Sequence, residues 1–172
     1  RGKTVAAAKI TADGTEYLYF FYDDSGSPVG MNYLGNNYYF KKNLQGDIIE
    51  IWGTEDGTDN HEFRCLVDYK YDAWGKIISV NDTTSSGYGL GQVNPFRYRG
   101  YWHDTESGLY YLQSRYYDPE TGRFINADIP TATLLSSGNL YCYCSDDPVN
   151  KTDPSGYLDW DIGYAMRALY HV

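Results

Sequence analysis

The sequence predicts an all-β fold, a series of consecutive antiparallel hairpins forming a curved sheet, on three observations. Tyrosine supplies 20 of the 172 residues, and it favours pleated, half-buried positions where the ring packs and the hydroxyl stays wet. Glycine supplies 18, enough for many tight turns with positive φ. One phrase also recurs: an aromatic alternation, an Asp or Asn, two or three residues, a Gly, then a second apolar alternation.

The first copy runs from the strand pattern Tyr17-Leu18-Tyr19-Phe20-Phe21-Tyr22 into Asp23-Asp24-Ser25-Gly26. A weaker copy is Asn43-Leu44-Gln45-Gly46, followed by Asp47-Ile48-Ile49-Glu50-Ile51. The clearest is Tyr69-Lys70-Tyr71-Asp72-Ala73-Trp74-Gly75, followed by Lys76-Ile77-Ile78-Ser79-Val80. Two copies carry one extra residue, Asp104-Thr105-Glu106-Ser107-Gly108 and Asp118-Pro119-Glu120-Thr121-Gly122. In each, the acid or amide side chain bonds nearby backbone N–H groups, and Gly takes the left-handed conformation that closes the hairpin. Single units of this length cannot hide an apolar face alone, but a stacked row can.

Residues 53–62 and 81–92, rich in Gly, Ser, Thr and acids, read as exposed loops. The second predicts a boundary between a hairpin array over 1–92 and a denser block over 93–157. Pro130, Pro148 and Pro154 forbid long regular elements late in that block. The last segment, 158–172, allows a short amphipathic helix that Gly163 interrupts.

Composition excludes several function classes. A net charge of −9 repels a phosphate backbone, so no nucleic-acid partner is expected. No apolar run approaches the roughly 20 residues a membrane helix needs. Three cysteines, Cys65, Cys142 and Cys144, make no disulfide framework, and with no histidine near the last two no metal or cofactor is expected. They read as small buried residues; Cys142 and Cys144 are two apart, so on a strand they would share one face and not easily bridge each other. His61, His103 and His171 have no nucleophile or ligand partner at readable spacing. Arg1 at the start predicts that the chain begins inside a longer protein, and the opening RGKTVAAAKI does not read as a signal peptide.

Residues 94–128, NPFRYRGYWHDTESGLYYLQSRYYDPETGRFINAD, resemble the RHS repeat-associated core domain. Gly138-Asn139-Leu140-Tyr141, Asp147-Pro148-Val149-Asn150 and Asp153-Pro154-Ser155-Gly156-Tyr157 extend the likeness, and the upstream hairpins resemble the family's YD repeats. The resemblance implies a β-sheet wound into a hollow shell, plugged by the core domain. It further implies a secreted or surface-displayed bacterial protein, a variable C-terminal polypeptide as its enclosed partner, and contacts with secretion machinery or a target-cell surface. In many members the core is similar to an aspartic autoprotease that cuts after the closing DPxG motif.

Carried over by motif, that activity implies Asp128 and Asp153 as the paired carboxylates and Tyr157–Leu158 as the scissile bond. Aspartic proteolysis needs two carboxylates close enough to share a proton, one acting as base and one as acid. Arg115 and Arg123 are nearby basic residues that could hold a carboxylate ionised. The chain departs from the family at Asp128-Ile129-Pro130-Thr131, where Asp-Pro-x-Gly is usual, so the turn bearing Asp128 is expected to shift. Both aspartates also have an ordinary reading as turn starters. Only 15 residues follow Tyr157, too few for a folded cargo. A different reading makes the chain a carbohydrate- or protein-binding β-repeat module without catalysis, using Trp52, Trp74, Trp102 and Trp160 as stacking surfaces.

Overall fold

The computed structural model describes residues 6–10, 16–54, 62–84, 89–128, 139–157 and 159–162. Seven strands, β1 (Ala7–Ile10), β2 (Glu16–Tyr22), β3 (Pro28–Tyr33), β4 (Asn36–Lys42), β5 (Ile48–Gly53), β6 (Arg64–Tyr71) and β7 (Ile77–Asp82), form one antiparallel sheet in strict chain order. Alternation sets its faces: Leu18 and Phe20 of β2 are buried, while Tyr17 and Tyr19 are exposed. The hairpin reading of the repeated phrase therefore holds.

Three of its turns are built alike. Gly26, Gly46 and Gly75 each donate their N–H to the carbonyl of Asp23, Asn43 or Asp72, at 2.9, 3.1 and 3.2 Å. The Oδ1 of each of these three residues accepts two more N–H groups, from the residues two and four positions on. The strand register shifts just before each turn, at Phe21/Tyr22, Lys41/Lys42 and Lys70/Tyr71, a bulge that adds twist. In the longer copies the extra residue makes the closing bond span four positions, from Gly108 to Asp104 and from Gly122 to Asp118. The Leu34-Gly35 hairpin between β3 and β4 lacks the phrase entirely.

A short helix, α1 (Leu90–Val93), crosses the expected boundary, and Leu90 packs under the sheet. Beyond it, β8 (Trp102–His103), β9 (Tyr110–Tyr111), β10 (Tyr116–Asp118) and β11 (Arg123–Phe124) form a second antiparallel sheet, again in chain order. One buried cluster lies on the inner face of the large sheet: Leu18, Phe20, Met31, Ile48, Ile51, Val67 and neighbours, closed by Leu90 and Phe96. A second cluster, Tyr98, Tyr101, Tyr110, Tyr117, Phe124 and Tyr143, has Trp74 packed against it and meets the first at Tyr71.

The two units join at the Asp72 turn. The hydroxyls of buried Tyr98, Tyr117 and Tyr110 donate to the carbonyls of Ala73, Trp74 and Gly75, at 2.9, 2.7 and 2.8 Å. Buried tyrosines need such partners, and a tight turn offers carbonyls that no strand uses. Gly75 has φ +90, and a Cβ there would lie 2.6 Å from the Tyr98 ring. Gly75→Ala is therefore expected to cost about 3 kcal/mol in urea unfolding, backbone strain plus a clash. Gly35→Ala, with φ +86 and nothing within 4 Å, should cost only about 1 kcal/mol.

Of the segment given a short terminal helix, Trp160–Asp161 form strand β13, paired with β12 (Lys151–Thr152); residues 163–172 lie outside the described residues. One expectation is corrected: of the three cysteines only Cys144 is buried, in a left-handed turn with φ 51°, while Cys65 and Cys142 are half-buried.

Candidate functional site

The site is built on the loop that joins β12 to β13. Asp153 opens it, and its Oδ1 accepts the N–H groups of Gly156 and Tyr157 at 2.8 and 3.1 Å, the geometry of a turn starter. The backbone of Asp153 is held as well: Tyr101 Oη donates to its carbonyl at 3.0 Å and lies 3.3 Å from its N–H. Gly156 has no room for a side chain, since a Cβ would sit 2.5 Å from Ser114 Oγ and 2.7 Å from the Leu112 carbonyl. The loop thus lies flat against the segment that follows β9.

That segment carries Arg115, which gathers the site. Its Nη2 lies 3.1 Å from Asp128 Oδ2 and 3.6 Å from Asp153 Oδ2. The two carboxylates therefore share one guanidinium and stand no farther apart than those two distances together. Arg115 Nε donates to the Gly156 carbonyl and Nη1 to the Leu140 carbonyl, and its guanidinium lies 3.5 Å from the centre of the Phe124 ring. Asp128 is fixed independently, its N–H donating to the same Leu140 carbonyl at 3.0 Å. The departure after Asp128 falls at residues 129–138, outside the described residues, and Asp128 itself stays within reach of Arg115. Arg123, the other candidate cation, pairs with Asp146 at 2.8 Å instead.

Burial separates the two acids. Asp153 is 2% exposed, and burial pushes its carboxyl up from 3.8 to about 6, against the lowering pull of Arg115 and the loop N–H groups. A proton held more tightly in the folded state means that folding loses stability as pH rises between the two values. Asp153→Asn removes that penalty. Relative to the wild type, the variant should gain about 2 kcal/mol in urea stability on going from about pH 4 to about pH 7; an unchanged gap would contradict the burial argument.

Tyr157 is half exposed at the loop tip, and Leu158 lies outside the described residues. Among the described residues no group of His, Cys, Asp and Glu is arranged to hold a metal ion. His103 packs on the Tyr110 ring, and burial pushes its imidazole down to about 4; His61 and His171 lie outside the described residues. Cys144 is buried with its thiol pushed up to about 12, as a packing residue rather than a nucleophile. Tyr101 was not singled out from the sequence; its only signal was its place in the resembling block.

No protein-family model matches the chain. Over 161 residues, 92% of its length, it is 34% identical to the tRNA3(Ser)-specific nuclease WapA of Bacillus spizizenii. Over 66 residues, 38% of its length, it is 42% identical to the toxin protein Tse5 of Pseudomonas aeruginosa. The chain spans about 6% of the first relative and 5% of the second. The crystal structure of TcdB2-TccC3 superimposes on 86% of this chain and 7% of its own, with a TM-score of 0.67 at 22% identity, which shows a common fold. The chain is thus related in sequence to short stretches of large bacterial proteins that include a nuclease and a toxin.

Proposed function

We propose that this chain is the C-terminal stretch of a secreted or surface-displayed bacterial RHS/YD-repeat shell, which encloses the polypeptide beyond Tyr157 and frees it by one self-cleavage. In this reading residues 1–92 belong to the shell wall, 93–157 form the plug, and 158–172 begin the cargo. The observation that carries it is the pair Asp128 and Asp153, both on the Arg115 guanidinium beside the Gly156-Tyr157 loop. A nuclease and a toxin among the relatives support a toxic polypeptide as the cargo.

The chemistry follows from the environments. Asp128, less buried and nearer the surface, takes a proton from a water molecule whose oxygen attacks the Tyr157 carbonyl carbon. Asp153, protonated below about pH 6, gives its proton to the Leu158 nitrogen as the C–N bond breaks. Arg115 positions both carboxyl groups and the Gly156 carbonyl, and no cofactor enters. Intact mass tests this: loss of the last 15 residues from the 19.6 kDa chain, abolished by Asp128→Asn and by Asp153→Asn, supports it. Cleavage that persists in both variants removes the assignment.

A binding module is the second reading, favoured by one exposed cluster. Tyr39 and Trp52 are cross-strand neighbours, and Phe63 packs on both, at 6.1 and 5.9 Å between ring centres. The tryptophans do not gather there: Trp102 packs on Phe20 and Phe96, and Trp74 on Gly122. A glycan array without binding retires this reading.

A further inference from the structure

The bond assigned as scissile lies in a hairpin loop. Lys151 and Thr152 of β12 stand opposite Asp161 and Trp160 of β13, and Ile162 donates its N–H to the Asn150 carbonyl at 2.8 Å. Cutting between Tyr157 and Leu158 therefore breaks the connection but leaves the pairing. Asp159, the second residue beyond the bond, is gripped by two side chains. Its Oδ2 accepts from Lys151 Nζ at 2.8 Å and from Ser145 Oγ at 2.5 Å.

Ser145 reaches Asp159 from a strained turn. Cys144, Ser145 and Asp146 take φ of 51°, 52° and 60° in succession, and none is glycine. Each such residue is strained and persists only where its surroundings demand it. Packing of buried Cys144 holds one end of the turn, and the Asp159 carboxylate rewards the middle.

We infer that Ser145, Lys151 and strand β12 form a docking site for the segment just downstream of the cut, the acidic stretch Asp159-Trp160-Asp161. The site holds that segment in register before the bond breaks and keeps the new amino terminus on the plug afterwards. Only the second half rests on self-cleavage. The consequence is a cargo that stays attached at its start after being severed, so that release needs a further event which opens the clamp.

Hydrogen exchange on a chain carrying Asp128→Asn, whole whether or not the self-cleavage reading is right, tests the first half. The amide of Ile162 should be protected, and Lys151→Ala or Asp159→Asn should speed its exchange roughly fivefold or more; no protection, or none lost in either variant, overturns the site. For the second half, denaturing mass reports whether the wild type is cut, and native mass of the same sample reports whether the 15-residue piece remains bound. Cut and bound, with loss in Lys151→Ala, supports the inference; cut and free overturns it. An uncut chain sinks self-cleavage alone, and the site then stands or falls on exchange.

Discussion

A chain carrying Asp153→Asn is expected to stay whole, with cleavage slowed about a thousandfold, the usual worth of a positioned general acid. Asparagine keeps the loop, because its amide oxygen can still accept the N–H groups of Gly156 and Tyr157 that Asp153 Oδ1 now takes. What it removes is the proton bound for the leaving nitrogen. The same assignment sets the pH response of the wild type. Burial holds the Asp153 carboxyl up to about 6, so its donor form is abundant below that value and scarce above it. Cleavage should slow as pH rises through about 6, measured by intact mass against time. A rate that rises across the same interval would make Asp153 the base and reverse the two roles. Asp128→Asn should give a comparable loss.

Arg115→Ala is expected to be the most destabilising single change in the core block, at about 3–5 kcal/mol, because it leaves buried carboxylates without their counter-charge. The side chain is 7% exposed, and its guanidinium touches Asp128, Asp153, the Gly156 and Leu140 carbonyls and the Phe124 ring at once. Urea unfolding with an unchanged m-value measures the loss. Adding Asp153→Asn should recover part of it, since one of the stranded charges is then gone, and a double-mutant cycle isolates that coupling. Arg115→Lys keeps the charge but lacks the planar fork, and should fall between the two. A loss under about 1 kcal/mol would mean that water, not Arg115, satisfies the carboxylates.

Much of the fold is local and therefore readable. Asp23, Asn43 and Asp72 announce their turns because the side chain that starts the turn and the glycine that closes it lie within four residues. The Leu34-Gly35 turn carries no such side chain, so nothing but the strand patterns around it signals a hairpin. The joint between the two sheets was not readable either. Tyr98, Tyr110 and Tyr117 look alike in a sequence of many tyrosines, and which carbonyls they cap depends on contacts 25, 35 and 43 residues away. At the site, motifs picked out Asp128 and Asp153, while the choice of Arg115 over Arg123 needed the packing of Phe124 and Leu140. Strand β13 was missed because a two-residue strand leaves no period to detect.

The amino-terminal sequence of the fragment released from the wild-type chain tests the account's central claim most directly. Cleavage at the Asp128–Asp153 site yields Leu-Asp-Trp-Asp, beginning at Leu158, and yields nothing from either aspartate variant. A fragment that begins elsewhere, or one that forms equally well without those carboxylates, contradicts it.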